Sequence, residues 1–492
     1  MSQLYFKSTR GAEEKITAGA AIVRGIAPDG GLYVPEQIPQ IDFTLSDMLS
    51  YDYRELAYRV LRLIITDFSE DELRNCINSA YDEKFDNKLI APLVSAKEHN
   101  FLELFHGRTI AFKDMALSIL PYLMKTAAKK NGVNEDIVIL TATSGDTGKA
   151  ALEGFADVPG TKIIVFYPET GVSDVQKRQM ITQKGANTCV AAIKGNFDDA
   201  QTAVKKIFTN ESLKSELKQR GYVFSSANSI NIGRLAPQIV YYFYAYSQLV
   251  NAGKIKLGDK INFTVPTGNF GDILAGYYAK HMGLPVERLI CASNDNKVLF
   301  DFFKTGKYDV KRDFIVTVSP SMDILISSNL ERLLYHSCND AAKVKEAMER
   351  LSGEKEYTFD IGNEFSAEFA TVEETLSAIG ELFKETGYVM DTHTAVAYAS
   401  YVKYAAESGD KTINVIVSTA SPYKFAKDVL RAIDKKYEGI DPFKALDELE
   451  KISKIPVPEP IKGINTRQIL HSAVIDRTQI ESFVKERLTQ NV

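Results

Sequence analysis

Cysteine is scarce in this chain, and the four that occur, Cys76, Cys189, Cys291 and Cys338, are widely separated with no CxxC pair. That spacing supports neither a zinc ribbon nor a disulfide framework, and it fits reduced thiols in a cytoplasmic protein. Long apolar runs are missing too: no stretch approaches the ~20 residues needed to cross a bilayer, so no membrane is expected. The opening segment, MSQLYFKSTRGAEEK, lacks the apolar core of a secretory signal. Positive charge is not in excess. A formal net charge of -5 and a pI near 5.9 exclude a chain-wide basic face for nucleic acid. An anionic small ligand must therefore be held by a local site. There is no HExxH motif and no serine-nucleophile elbow, which removes the usual signatures of metal and triad hydrolysis; no metal is expected. Internal repeats and low-complexity tracts are also absent.

What is present is an ordinary globular composition, 45% hydrophobic and 25% charged over 492 residues. This length suggests two or three domains and a sizeable core. Residues 1–85 mix turns with helical stretches such as Ser46 to Thr66. From there to about 430 strands alternate with helices: Ile137 to Thr141, Lys162 to Phe166, Thr188 to Ile193, Tyr222 to Ser225, Ile261 to Pro266 and Ile413 to Ser418 read as strands. Asp174 to Lys184 and Phe197 to Arg220 read as helices between them. The expected fold is α/β, with two open, mainly parallel twisted sheets and flanking helices. A smaller subdomain is expected at about 141–230 and a helical elaboration at about 300–390. Residues 431–492 read as a C-terminal helical tail, whose proline-rich stretch Ile455 to Pro460 suggests a strap or tail and not a domain.

Ligands of such sheets bind at the carboxyl ends of strands, so the loops that follow strands carry most weight. Thr267-Gly268-Asn269-Phe270-Gly271-Asp272 opens a helix, where glycines and free N–H groups suit a phosphate monoester; a tight strand–helix turn without ligand is the other reading. Ala142 to Lys149 resembles a nucleotide P-loop only superficially, because Thr143 and Ala150 stand where that motif needs glycine and a hydroxyl. Its hydroxyls and N–H groups could still cradle a carboxylate. Ser418 to Lys424 could do similar work or simply cap the next helix. Lys113, at the end of FHGRTIAFKD, has apolar neighbours that would lower its pKa and make it an amine nucleophile; a solvated lysine is the alternative. His106 and His393 read as residues that order their turns.

Taken together, these segments resemble threonine synthase, a family of pyridoxal-phosphate (PLP) enzymes of fold type II, related in fold to the tryptophan synthase β subunit. The resemblance lies in YFKSTRG, APDGGLYVP, FHGRTIAFKD, TATSGDTG, PTGNFGDILAG, SPSMDILISSNLERLL and STASPYKF, in that order between residues 5 and 430. It implies that Lys113 bonds the cofactor aldehyde and that Gly268, Asn269, Phe270, Gly271 and Asp272 form the cofactor-phosphate loop. Thr419 would face the pyridine nitrogen as a neutral partner. Ser144, Gly145, Asp146 and Thr147 would hold the substrate α-carboxylate, mainly through N–H and hydroxyl groups. Arg234 would meet the substrate phosphate, with a surface salt bridge as its other reading.

The implied reaction converts O-phospho-L-homoserine and water to L-threonine and phosphate, in a monomer or homodimer. Departures from the family pattern are Arg108, Thr392, Ser421 and Tyr423. They leave the implied cofactor residues intact and touch specificity at Arg108. The alternatives are a phospho-lyase or dehydratase on the same fold and a non-catalytic PLP-binding scaffold.

Overall fold

Two sheets organise the chain, and apolar patterning dictates both. The computed structural model describes residues 3–489 except 144, 171 and 196. The larger sheet runs Phe365–Phe369, Val286–Ser293, Ile261–Pro266, Asn414–Ser418, His99–Glu103, Leu93–Ala96, and only its last pair is antiparallel. Its central strands Ile261–Pro266 and Asn414–Ser418 are buried along their whole length, as expected for parallel strands covered on both faces. The smaller sheet is wholly parallel: Ala473–Asp476, Thr188–Lys194, Thr161–Pro168, Asp136–Ala142, Tyr222–Ser225.

The helix Ile232–Asn251 is buried along nearly its whole length, and the first 85 residues pack against it. Their helix Tyr53–Ile64 buries eight of its twelve residues there, so the N-terminal region shares the main core. A second core gathers Val372–Thr386, Thr392–Ser408, Ala426–Ile433 and Pro442–Ser453 against the other face of the larger sheet.

Three expectations need correction. The span Phe197 to Arg220 is not one helix: it breaks at Asn210, whose side chain accepts from Leu213 N–H at 3.1 Å and caps a second helix, Glu211–Gln219. Residues 300–390 are not only helical, since Phe365–Phe369 joins the larger sheet and Lys307–Asp309 pairs with Glu356–Thr358. The C-terminal stretch is more than a helical tail. After the proline-rich segment, Arg178 donates to the carbonyls of Ile464, Asn465 and Arg467. Ala473–Asp476 then becomes the edge strand of the smaller sheet, and the helix Ile480–Thr489 covers that sheet's outer face. The chain therefore straps one body to the other.

The two bodies meet closely where the helix Asp146–Phe155 crosses the short helix Asp114–Leu117. Gly154 permits this, because a Cβ there would lie 2.1 Å from the Leu117 carbonyl oxygen. Alanine at a helix interior ordinarily gains about 1 kcal/mol over glycine. Here the clash is expected to win, and Gly154→Ala should destabilise the protein by about 1–3 kcal/mol in urea unfolding, as overpacked sites do. A higher unfolding midpoint for G154A would contradict this packing.

Candidate active site

The loop that carries Lys113 is held in an unusual path. Ile110 sits at φ 52°, a left-handed conformation costly for a β-branched residue. The path persists because neighbouring groups over-determine it. Phe112 N–H donates to the Thr419 carbonyl at 2.7 Å, and Ser421 N–H to the Ile110 carbonyl at 3.0 Å. Thr109 gives its N–H and hydroxyl to the two oxygens of Asp114, at 2.7 and 2.6 Å. Burial pushes the Asp114 carboxyl up to about 6. Upstream, His106 lies between Asp86 and Glu103 at 2.6 and 3.0 Å. Burial opposes its charge, yet those two carboxylates raise it to about 9. Through these two contacts it ties the turn to Asp86 and Glu103.

Lys113 itself is 9% exposed. Burial lowers its pKa, opposed by Asp146 and assisted by Lys424 and Arg234. Its ammonium lies 3.6 Å from Asp146 Oδ2. Asp146 is the hub of this site: Lys424 reaches Oδ1 at 2.9 Å, Gln176 Nε2 reaches it at 2.5 Å, and Ser321 Oγ donates to Oδ2 at 3.0 Å. Burial opposes its ionisation, but Lys424 and Lys113 together hold it far below the usual carboxylate range.

This alters the expected roles in the Ala142 to Lys149 loop. The Asp146 carboxylate is committed to cations, leaving its backbone for an anionic ligand. Gly145 N–H is taken by Thr143 Oγ1 at 2.9 Å, whereas Thr147, partly exposed, stands on the first turn of the helix. Ser144 lies outside the described residues.

At the other loop, Gly268 approaches the Ser321 carbonyl so closely that a Cβ would lie 2.6 Å from it. Phe270 takes the left-handed conformation at φ 61° and buries its ring against Phe303 and Phe365. Ser327 Oγ and Asn329 N–H bind the carbonyls of Gly268 and Asn269 at 2.7 and 3.0 Å. The loop is thus fixed through its carbonyls. Among the described residues, no protein oxygen accepts from the N–H groups of Gly268, Asn269, Phe270 or Gly271. Those donors, at the start of the helix Gly271–His281, form an anion cradle.

The Asp272 carboxyl does not belong to the cradle. Its Oδ1 accepts from Tyr241 and Tyr242 at 2.5 and 2.8 Å, and burial raises it to about 6.

Arg234 is 3% exposed, which overturns the surface salt-bridge reading. Its Nη1 donates to the Ala227 carbonyl at 2.8 Å, its Nε has no partner among the described residues, and burial lowers its pKa to about 10. Thr419 is 6% exposed beside the lysine loop.

The sequence reading gave no site role to Lys424, Gln176, Ser321 or Asp391, and read His393 only as ordering its turn. His393 Nδ1 is 2.9 Å from Asp391, and its Nε2 accepts from Ser321 N–H at 3.1 Å. The signal for Lys424 and Ser321 was their place inside two of the quoted motifs. A cleft of about 1350 Å³ borders the lysine loop, lined by Gly107, Arg108, Asp114, Lys149 and Ser421 but not by Lys113.

A buried lysine with a depressed pKa, a cradle of free N–H groups on a helix start and a neutral hydroxyl loop fit pyridoxal phosphate. Fold and site define the class: residues 101–419 match the family model described as Pyridoxal-phosphate dependent enzyme. Residues 5–81 match "Threonine synthase N terminus" and residues 394–466 "Threonine synthase, C-terminal". The threonine synthase of Saccharomyces cerevisiae is 36% identical over 94% of each chain. A PLP-bound threonine synthase from Brucella melitensis superposes with a TM-score of 0.86 at 35% identity, covering 99% of this chain and 100% of that one. Human Threonine synthase-like 1 is 37% identical over 95% of this chain, which spans 63% of that relative's length. The chain belongs to the threonine synthase family.

Proposed function

We propose that this protein converts O-phospho-L-homoserine and water to L-threonine and phosphate, with Lys113 as the residue that bonds the cofactor and then moves protons. The observation that carries the reading is the meeting of Lys113, the free N–H cradle of Gly268 to Gly271 and the Thr419 loop. Gly268 to Gly271 would hold the cofactor phosphate, joined by the backbone of Asp272, and Thr419 would meet the ring nitrogen. Pyridoxal phosphate, when bound, supplies an electron sink for negative charge developing beside the substrate amine.

The protein then has to bind, orient and shuttle protons. Lys113 Nζ, whose burial beside Lys424 and Arg234 disfavours its charged form, takes the Cα proton and later returns it there. Proton removal at Cβ lets the Cγ–O bond break and phosphate depart. Water then adds its hydroxyl at Cβ, while Cγ gains a proton and becomes the methyl group. The first-turn N–H groups of Asp146 and Thr147, with Gly145 shaping the loop before them, would hold the α-carboxylate. Arg234, with one guanidinium nitrogen unpartnered, would receive the departing phosphate. The smaller sheet, which carries the carboxylate loop, is the body that would close over substrate. The four free thiols favour a cytoplasmic enzyme.

The test is to supply O-phospho-L-homoserine to the purified protein with PLP and follow both products. Equimolar threonine and phosphate are expected. 2-Oxobutyrate as sole organic product would replace this reading with a phospho-lyase, and cofactor binding without phosphate release would replace it with a scaffold. Arg234→Gln is expected to lower kcat/KM by about 10- to 100-fold, the worth of a hydrogen bond to a charged group. Its affinity for PLP should be unchanged in a spectroscopic titration; a matching loss of cofactor would assign Arg234 elsewhere.

A further inference from the structure

A lysine that accepts a proton must first be neutral, and the buried site already holds one committed carboxylate. Two cations share Asp146 here, Lys113 at 3.6 Å and Lys424 at 2.9 Å. When Lys113 is neutral, Lys424 alone remains. Its ammonium is fully buried and also donates to the Thr109 carbonyl at 2.9 Å. One side chain from the larger body therefore joins the carboxylate loop of the smaller body to the lysine loop. Ser321, itself fixed by His393, adds a second but neutral tie to Asp146.

We propose that Lys424 is a positioning residue: bridging Asp146 Oδ1 and Thr109 O, it holds the two bodies in register and supplies the lasting counter-charge of Asp146 when Lys113 offers none. The inference rests on the assignment of Lys113 as the cofactor lysine and proton carrier. Without Lys424, the buried Asp146 carboxylate would draw a proton onto the nearest amine, which is Lys113. The charges that act on Lys113 are Asp146, Lys424, Arg234 and Asp272, with His393 acting on Asp146. Only Asp146 and Asp272 among these favour its protonated form, and Asp272 is bound by two tyrosines. Loss of Lys424 therefore shifts the balance toward a protonated Lys113.

The experiment compares Lys424→Met with wild type in two ways. Hydrogen exchange is measured on cofactor-stripped protein over the 143–155 segment, and the pH dependence of kcat is measured on the holoenzyme. K424M is expected to exchange about tenfold faster over that segment, and the acid limb of its kcat profile should move alkaline by about one pH unit, equivalent to tenfold in proton affinity. Unchanged exchange and an unmoved acid limb would overturn the proposal. Faster exchange with an unmoved limb would also overturn it, reducing Lys424 to a purely structural contact.

Should K424M not fold, the pair D146N/K424M removes both charges and is expected to fold with weaker 143–155 protection than wild type; wild-type protection would overturn the latch. Borohydride reduction of K424M holoenzyme separates this inference from its premise. Cofactor fixed on Lys113 leaves the premise standing whatever Lys424 does, and cofactor fixed elsewhere removes the premise while the exchange result still judges the latch.

Discussion

Lys113→Ala is expected to lower kcat/KM for O-phospho-L-homoserine by about 10⁴-fold or more, the upper range for loss of a positioned acid–base group. The variant should also lose the visible band of bound cofactor on dialysis, because the remaining contacts to PLP are non-covalent. It should stay folded: Asp146 keeps Lys424 at 2.9 Å, and alanine removes a buried ammonium whose desolvation is costly. Phosphate release in the initial-rate regime and a dialysed absorption spectrum are the two readings. Full activity with a retained band would end the assignment.

Asp146→Ala is expected to have the largest effect on stability. It leaves Lys424, whose side chain is completely buried, without its carboxylate. Removing one partner of a buried ion pair costs about 3–5 kcal/mol. In urea this should appear as a lower unfolding midpoint, detected by far-ultraviolet circular dichroism.

The pH dependence has a fixed sign. The Asp146 carboxyl is depressed in the folded protein, so its stabilisation is present above its unfolded pKa, about 3.9, and is lost as pH falls through the much lower folded value. The gap between wild type and the isosteric D146N should therefore stay constant from about pH 8 to 5 and shrink only in strong acid. A gap that closes near neutrality would mean that the pair is not formed.

Much of the architecture is legible in the sequence because the parallel strands are continuous apolar runs bounded by small-residue loops. Ile261 to Pro266 followed by Thr267 to Asp272 shows strand, turn and helix start in a dozen residues. What escaped depends on distance along the chain. Phe365–Phe369 and Ala473–Asp476 become strands by pairing with edges formed far away, and nothing local distinguishes them. The break at Asn210 was legible in principle, since asparagine caps helices, but the apolar spacing continues across it. The Asp272 carboxyl looked like part of a phosphate loop; only the fold shows Tyr241 and Tyr242 taking it up. For Arg234 the sequence leaves a surface salt bridge open beside the phosphate-binding reading, and only the fold shows it buried on a helix that is itself buried along nearly its whole length. The pairing of Lys424 with Asp146 is of the same kind: each residue lay in a quoted motif, and only folding brings the two motifs to one carboxylate.

The most direct measurement is borohydride reduction of the holoenzyme followed by mass spectrometry of its peptides. Two buried amines compete beside Asp146, Lys113 and Lys424. The account requires the reduced cofactor mass on the peptide that contains Lys113, with Lys424 unmodified. Cofactor fixed to Lys424, or to any other lysine, would contradict it.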